Sequence, residues 1–237
     1  MTKRLLIVLG AMTASTMVVP QPAKACFDTH LILLGRPITY PEGEGVILLN
    51  PEYSFNRWKH GEADSLETAL DVDYGVTDKL TVSGGLISGD KLRQDFEVDQ
   101  AHVGLWYGAY RTPLFGLTPA IEHASTFDAK DSETDFALIG TINLGDAMIV
   151  VHPKATFVRE GGTETRLTGG AHLGAFYRLG LSGILGVGTE YIDSAATASL
   201  FLGAFIGEHV YFGWEAILGL NDEAQSFGMA NTLKYMF

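Results

Sequence analysis

The sequence lacks several features that would place it in common protein classes. It has a single cysteine in 237 residues, so an intrachain disulfide is excluded and stability must come from backbone pairing and packing. Lys and Arg number 16 against 28 Asp and Glu, a formal net charge of -12 that argues against a nucleic-acid partner. After the first 25 residues no apolar run reaches the ~20 residues of a membrane-spanning helix, which excludes a helical membrane protein.

The N-terminus is typical of a secretory signal peptide. Met1–Ala25 starts with basic residues, continues through the apolar stretch Leu5–Val19 and ends in the small-x-small cleavage site Ala23–Ala25. Cys26 directly follows this site. A lipid-modified Cys26 is one interpretation, but the usual leucine three residues earlier is absent and Lys24 fits poorly, so we favour an unmodified cysteine. The sequence therefore predicts an exported protein.

The C-terminus alternates in the manner of a β-strand. Leu233, Tyr235 and Phe237 share one face, and Thr232 and Lys234 share the other. A terminal strand that closes on Phe resembles the assembly signal of bacterial outer-membrane β-barrels. This resemblance implies that the three apolar residues are recognised by the barrel assembly machinery.

The region from Gly45 to Phe237 repeats this alternation in segments of about 10 residues, separated by tight turns and polar loops. We predict an all-β fold, a transmembrane antiparallel up-and-down barrel of about twelve strands, with ten possible if two weak segments fail. The preceding segment Cys26–Glu44 contains Pro37 and Pro41, which argue against a central strand. We expect it to be a periplasmic or lumen-tucked lead-in. The predicted strands are Gly45–Trp58, Leu66–Val76, Lys79–Gly89, Glu97–Tyr110, Leu117–Phe127, Asp135–Leu144, Ala147–Val158, Thr165–Tyr177, Leu181–Ile192, Thr197–Ile206, Val210–Leu220 and Ala224–Phe237.

An even strand count places both barrel ends on the same side of the membrane. Tight turns such as Thr77-Asp78 and Gly145-Asp146 are then periplasmic. The longer, acidic connections are predicted to be extracellular, at Lys59–Ser65, Asp128–Glu133 and Glu160–Glu164.

Charged residues set the predicted phase of each strand. In the second strand Leu70 and Val72 alternate with Asp71 and Asp73. Charges belong inside, because Lys or Arg on the lipid face costs roughly 2–4 kcal/mol at the midplane. Aromatic residues near strand ends suit the membrane interface. The residues predicted to line the lumen are Glu52, Asp71, Asp73, Glu122, Asp135, Lys154, Glu190 and Glu215.

This acidic lining predicts an aqueous pore that favours cations or neutral solutes over anions. A lumen plugged by side chains and ion pairs stays open as an alternative, because about 8 strands leave no room and 16–18 leave a channel. His102, His152 and His172 also fall on the predicted inner face. No two of them have the spacing of a metal motif, so we predict neither a metal nor a cofactor.

The segment Tyr74–Leu80 reads Y-G-V-T-D-K-L. It resembles the strand–turn–strand unit of transporter-like outer-membrane barrels grouped with the phenol-degradation meta-pathway family. The resemblance implies a barrel with a transport role in the outer membrane, in contact with its lipids. It names no solute and supplies no catalytic residues.

A catalytic alternative rests on the pair His123 and Ser125, which share one face of a predicted strand. Lipid hydrolases of the outer membrane use a His-x-Ser pair on the outer wall, with a third polar group that orients the histidine. Asp99 on the preceding strand could be that group. Thr126 stands where such enzymes show Asn, which weakens the match. We therefore predict a porin-like or transporter-like channel for small solutes. An outer-leaflet lipid hydrolase and a non-conducting structural or surface-interaction barrel are the alternatives.

Overall fold

The computed structural model describes residues 39–55, 64–88, 98–162, 164–180, 182–224 and 226–237. The predicted signal peptide, Cys26, and the predicted strand ends at Trp58 and Glu97 lie outside the described residues. So does most of the predicted loop Lys59–Ser65. Within the described ranges, no helix has the length and apolar character to cross a membrane.

The described chain is built from β-strands, each long enough to cross most of a bilayer except the two-residue β5. They are β1 (Gly45–Phe55), β2 (Ser65–Thr77), β3 (Leu80–Ser88), β4 (Val98–Tyr107), β5 (Tyr110–Arg111), β6 (Phe115–Thr126), β7 (Ser132–Leu144), β8 (Ala147–Glu160), β9 (Glu164–Leu179), β10 (Gly183–Ile192), β11 (Ala195–Ile206), β12 (Val210–Gly219) and β13 (Phe227–Met236).

Every strand pairs antiparallel with its neighbour, and the last strand β13 pairs with β1. Both β4 and β5 pair with β6, so β5 continues β4 after the interruption at Gly108 and Ala109. The two strands occupy one position in the wall, which makes a closed twelve-stranded barrel. The prediction of a twelve-stranded antiparallel barrel is confirmed, and the ten-stranded alternative is wrong.

Several predicted strand boundaries were wrong by a few residues. Ser132 and Glu133 belong to β7 rather than to a loop, because the turn before them is closed by the bond from Thr126 N to Asp131 O (3.0 Å). The last strand starts at Phe227 rather than Ala224. Asn221 makes a turn there, accepting a hydrogen bond from Ala196 N at 3.0 Å.

The seam between β1 and β13 is closed by the last residue of the chain. Gly45 N donates to Phe237 O and Phe237 N donates to Gly45 O, both at 2.9 Å. A Cβ at position 45 would lie 2.7 Å from the Phe237 ring, so glycine makes room for the ring. The terminal aromatic thus lies where two neighbouring strands complete the cylinder.

The two faces of the wall differ in exposure. Asp71 and Tyr211 are each 1% exposed, whereas their neighbours Val72 and Phe212 are 45% and 43% exposed. Residues paired across strands share a face, so the register carries this alternation around the barrel. The buried set forms the inner face. We name the end that holds Gly45 and Phe237 the terminal end, and the opposite end the loop end.

Candidate channel lumen

The predicted lumen residues lie on the inner face. Glu122 is opposite Asp135 on β6 and β7, and Glu190 is opposite His172 on β10 and β9. Glu52 on β1 is opposite Glu67 on β2 and Ala230 on β13. The register places the following predicted residues inside: Glu52, Asp71, Asp73, Glu122, Asp135, Lys154, Glu190 and Glu215.

The half of the lumen near the loop end, which we call the loop half, is acidic and partly exposed. Glu52, Glu190 and Glu215 lie close enough to interact electrostatically with one another. Ser199 hydrogen-bonds to Glu215. Carboxylates from β1, β10 and β12 therefore meet in one space, although they are far apart in the chain.

A second acidic group lies on the other side of the loop half. Glu133 interacts electrostatically with Asp135 and Lys154. Lys154 Nζ lies 3.5 Å from Asp135 Oδ2, and Thr156 donates a short hydrogen bond to Asp135. Sequence reasoning missed Glu133 because it placed the residue in a loop. The alternation Ser-Glu-Thr-Asp from Ser132 was the signal that could have found it.

The half of the lumen near the terminal end, which we call the terminal half, is buried. It contains a close contact between Asp71 Oδ1 and His102 Nε2 at 3.0 Å, with both side chains at most 1% exposed. These residues lie on β2 and β4, and Gly85 on β3 separates them. A Cβ at position 85 would lie 2.6 Å from His102 Cε1, so glycine lets the two side chains meet. The sequence gives no local sign of this pair.

An apolar belt lies on the inner face of the terminal half, beside buried polar residues such as Thr118, Thr141 and Lys234. Its rings lie over inner-face glycines: Phe176 covers Gly186, and Tyr211 covers Gly203, where a Cβ would approach the rings to 2.5 Å and 2.7 Å. Such aromatic–glycine packing covers backbone that would otherwise face the lumen. The belt comprises Trp106, Ile139, Met148, Val150, Phe176, Ile184, Phe201 and Tyr211.

The histidines do not form a metal centre. His152 and His172 are opposite one another on β8 and β9, while His102 pairs with Asp71 on another part of the wall. Across the residues that the structure describes, no three His, Cys, Asp or Glu side chains converge in a way that could hold a metal ion.

The residues of the catalytic alternative do not interact as a triad. His123 Nδ1 is 2.8 Å from Thr134 Oγ1 on the outer face. Ser125 Oγ donates to the carbonyl oxygens of Thr126 and Asp131, at 3.1 Å and 3.4 Å, rather than to His123. Asp99 was predicted to face outward.

The surroundings of Asp99 are irregular, and its outward orientation stays a prediction. Asp99 lies at an irregularity where the β3–β4 register shifts between Ile87 and Ser88, and it interacts electrostatically with the inner-face residue Glu67. A bulge breaks the simple alternation that the outward prediction assumed.

Comparisons with known proteins give structural neighbours alone. Neither a protein-family model nor a curated protein sequence matches the chain. The KdgM porin, solved in complex with disordered oligogalacturonate, superposes with a TM-score of 0.63 at 13% identity, covering 80% of this chain and 99% of that one. An outer-membrane channel from Pseudomonas putida F1 gives 0.61 at 13% identity, covering 84% and 97%. The NanC porin gives 0.60 at 9% identity, covering 80% and 98%. The chain therefore has the fold of outer-membrane porin-like barrels, while the resemblance to the phenol-degradation meta-pathway family stays a prediction.

Proposed function

We propose that this protein is an outer-membrane channel for small solutes, with an acidic lumen that favours cations or neutral solutes over anions. The observation that carries the proposal is the separation of chemistry across the wall. Carboxylates from many strands face inward, and aliphatic and aromatic side chains face outward. A barrel in a lipid bilayer needs an apolar outer band, and a polar interior suits an aqueous path.

Charge in the loop half supports a preference for cations. Carboxylates attract cations within about a Debye length, roughly 8 Å at physiological salt. Their electrostatic potential therefore extends across the whole width of a narrow lumen. The KdgM porin was solved with oligogalacturonate, whose sugar units carry carboxylates. The acidic lining of this chain disfavours such a polyanion, so a shared fold does not carry that ligand over.

The proposal includes a location and an orientation. The predicted signal peptide would bring the chain to the outer membrane, and Leu233, Tyr235 and Phe237 would be recognised by the assembly machinery there. The terminal end, with its short turns, would face the periplasm. The transport role implied by Tyr74–Leu80 agrees with this proposal and adds no solute.

The test is single-channel recording in a planar bilayer under a salt gradient. Glu190→Gln with Glu215→Gln should move the reversal potential toward zero, because two partly exposed carboxylates are lost from the lumen. Lys154→Met should move it the other way, since it removes a cation from the same space. The exposed turn variant Glu208→Gln serves as the matched control and should leave the potential unchanged. A reversal potential insensitive to all three lumen changes would overturn the acidic-pore proposal.

A non-conducting structural barrel is the second candidate. One observation favours it: the inner face of the terminal half is buried, including Val46, Leu48, Thr118 and Thr141 at 2% exposure or less. Properly folded protein that never conducts, in wild type or in any variant with a widened terminal end, would support this candidate over the channel.

A further inference from the structure

The segment just before β1 forms a strap across the terminal end of the lumen. It consists of Thr39–Glu44. Thr39 and Tyr40 are only 4% and 3% exposed, although they precede the first strand. The strap leaves β1 through a turn closed by Glu44 N donating to Pro41 O at 3.1 Å. Gly43 has φ +84° there, a conformation that suits glycine at the third position of a type II turn.

Hydrogen bonds fix the strap to the inner face of the wall. Gly43 N donates to Gly75 O and Gly75 N donates to Glu44 O, both at 2.9 Å. Tyr40 N donates to the hydroxyl of Thr81 at 2.7 Å, in a buried position. Because Gly75 and Thr81 are opposite one another on β2 and β3, the strap follows the inner face from one strand to the next.

The backbone of the strap packs directly against Gly75. A Cβ at position 75 would lie 2.7 Å from the Tyr40 carbonyl oxygen and closer still to that of Pro41. Both contacts are with backbone atoms, which cannot rotate away as a side chain would. Since Gly75 does not have a positive φ, its backbone accepts alanine and only the strap excludes it.

The strap also continues past β3 to the end of β4. Thr39 Cγ2 lies 3.8 Å from where a Cβ at Gly108 would be. Thr39 borders a depression shared with Gly116, Thr118 and Thr141, which belong to β6 and β7. The strap thus runs from β1 past β2 and β3 to the end of β4 and covers that part of the inner wall at the terminal opening.

We infer that the strap Thr39–Glu44 narrows the terminal mouth of the channel and sets the size of solute that passes. The inference rests on the proposed channel function. Pore diameter and the groups that line the narrowest point decide passage, and backbone laid across the mouth reduces that diameter. The buried residues of the strap, Thr39 and Tyr40, carry no charge, and its two carboxylates, Glu42 and Glu44, are exposed in the turn next to β1. The buried part therefore selects by size, whereas the carboxylates of the loop half select by charge.

The first test displaces the strap from the wall by adding a side chain at position 75. Gly75→Ala should raise single-channel conductance by roughly twofold or more and should admit larger neutral sugars in a liposome-swelling assay, because the mouth widens. Gly84→Ala is the matched control: it lies on the outer face of β3, and a Cβ there would be 3.6 Å from its nearest neighbour. It should behave as wild type in both assays.

The second test locks the strap. Disulfides join Cβ atoms about 3.5–4.5 Å apart, and the Thr39 side chain is a direct neighbour of position 108, with Cγ2 at 3.8 Å from a Cβ built there. Thr39→Cys with Gly108→Cys, combined with Cys26→Ser to remove the native thiol, should keep wild-type conductance whether oxidised or reduced. Adding Gly75→Ala to this variant should leave the conductance at the wild-type level when oxidised, because the disulfide holds the strap in place, and should raise it when reduced. In the same background without Gly108→Cys, a charged maleimide should label Thr39→Cys slowly, and faster when Gly75→Ala is added.

The outcomes distinguish the proposed role of the strap as a size filter from the proposed channel function. Faster maleimide labelling with higher conductance in Gly75→Ala supports the strap as a size filter. Faster labelling with unchanged conductance in a conducting protein overturns the filter and leaves the channel. If the barrels fold but none of these variants conducts, Gly75→Ala included, the proposed channel function itself is overturned.

Discussion

The loop half and the terminal half of the lumen use the same strands for different purposes. In the loop half the inner-facing carboxylates remain partly exposed, and they gather from β1, β10 and β12 into one acidic space. In the terminal half the inner-facing side chains are buried, and aromatic rings cover glycine backbone. The first arrangement tolerates water and suits solute contact. The second resembles the packed core of a soluble protein and stabilises the cylinder.

This difference teaches how one barrel can combine an aqueous space with a firm wall. A buried polar group without a partner is costly, so polar side chains in the terminal half lie in close contact, as Asp71 does with His102. In the loop half water can solvate the carboxylates, so that side chains of like charge can lie near one another. We therefore expect mutations in the terminal half to change stability and mutations in the loop half to change selectivity.

The largest expected effect comes from the apolar belt. Phe176→Ala should lower the free energy of unfolding by roughly 3–5 kcal/mol, because it leaves a cavity in a packed region. Phe157→Ala is the matched control on the neighbouring strand, since Phe157 lies on the outer face and is 46% exposed. Denaturant unfolding in lipid vesicles, followed by tryptophan fluorescence, measures both. Equal losses would break the comparison, because the belt would then be no more of a core than the outer surface.

A smaller effect is expected at the glycine between Asp71 and His102. Gly85→Ala should cost about 1–3 kcal/mol, because a Cβ would lie 2.6 Å from both the Leu70 carbonyl oxygen and the His102 ring. Its neighbour Gly84 lies on the outer face, where a Cβ would make only an ordinary contact of 3.6 Å, so Gly84→Ala should cost nothing or stabilise slightly. The same unfolding assay compares the two adjacent glycines. A harmless Gly85→Ala would show that the contact of Asp71 with His102 does not need close approach across β3.

Much of the loop half could be predicted from sequence, and little of the terminal half. Strict alternation, as at Glu190 and Tyr191, assigns a face from neighbours in the chain. The contact of Asp71 with His102 depends on β2 and β4 lying two positions apart, with a glycine between them. No local pattern encodes that distance.

The same limit applies wherever the chain departs from regular pairing. The irregularity at Asp99 changes its surroundings without a proline or glycine to mark it. The strap is recognisable in sequence only as a proline-rich lead-in, because Gly75, the residue it packs against, lies in a different strand. The packing of rings on glycines likewise joins residues from separate strands, and only the high glycine content hints at it.

The smallest expected effect is at the rim of the loop end. A turn of five residues is held there by polar contacts, without burial. Asp128 accepts hydrogen bonds from Thr126 Oγ1 at 2.8 Å and from Lys130 N at 3.2 Å, and Lys130 Nζ lies 2.7 Å from its other oxygen. These contacts, that of the Lys130 side chain first, lower the pKa of Asp128 from its usual 3.8 to about 2. A depressed carboxyl pKa means that the contribution to the turn is complete above pH 4 and is lost as the pH falls through about 2.

This rim should therefore respond to pH independently of the lumen. We expect the carboxyl carbon of Asp128, followed by NMR in detergent micelles, to titrate near pH 2 in wild type and nearer its usual value in Lys130→Met, which removes the largest cause of the shift. The Lys130 amide should move with it in wild type and should stop titrating in Asp128→Asn. Because the turn is exposed, neither variant should change the denaturant midpoint of the barrel or its reversal potential. A change in either would show that the rim is coupled to the lumen, and the division between a selective half and a stabilising half would need a third, regulatory region.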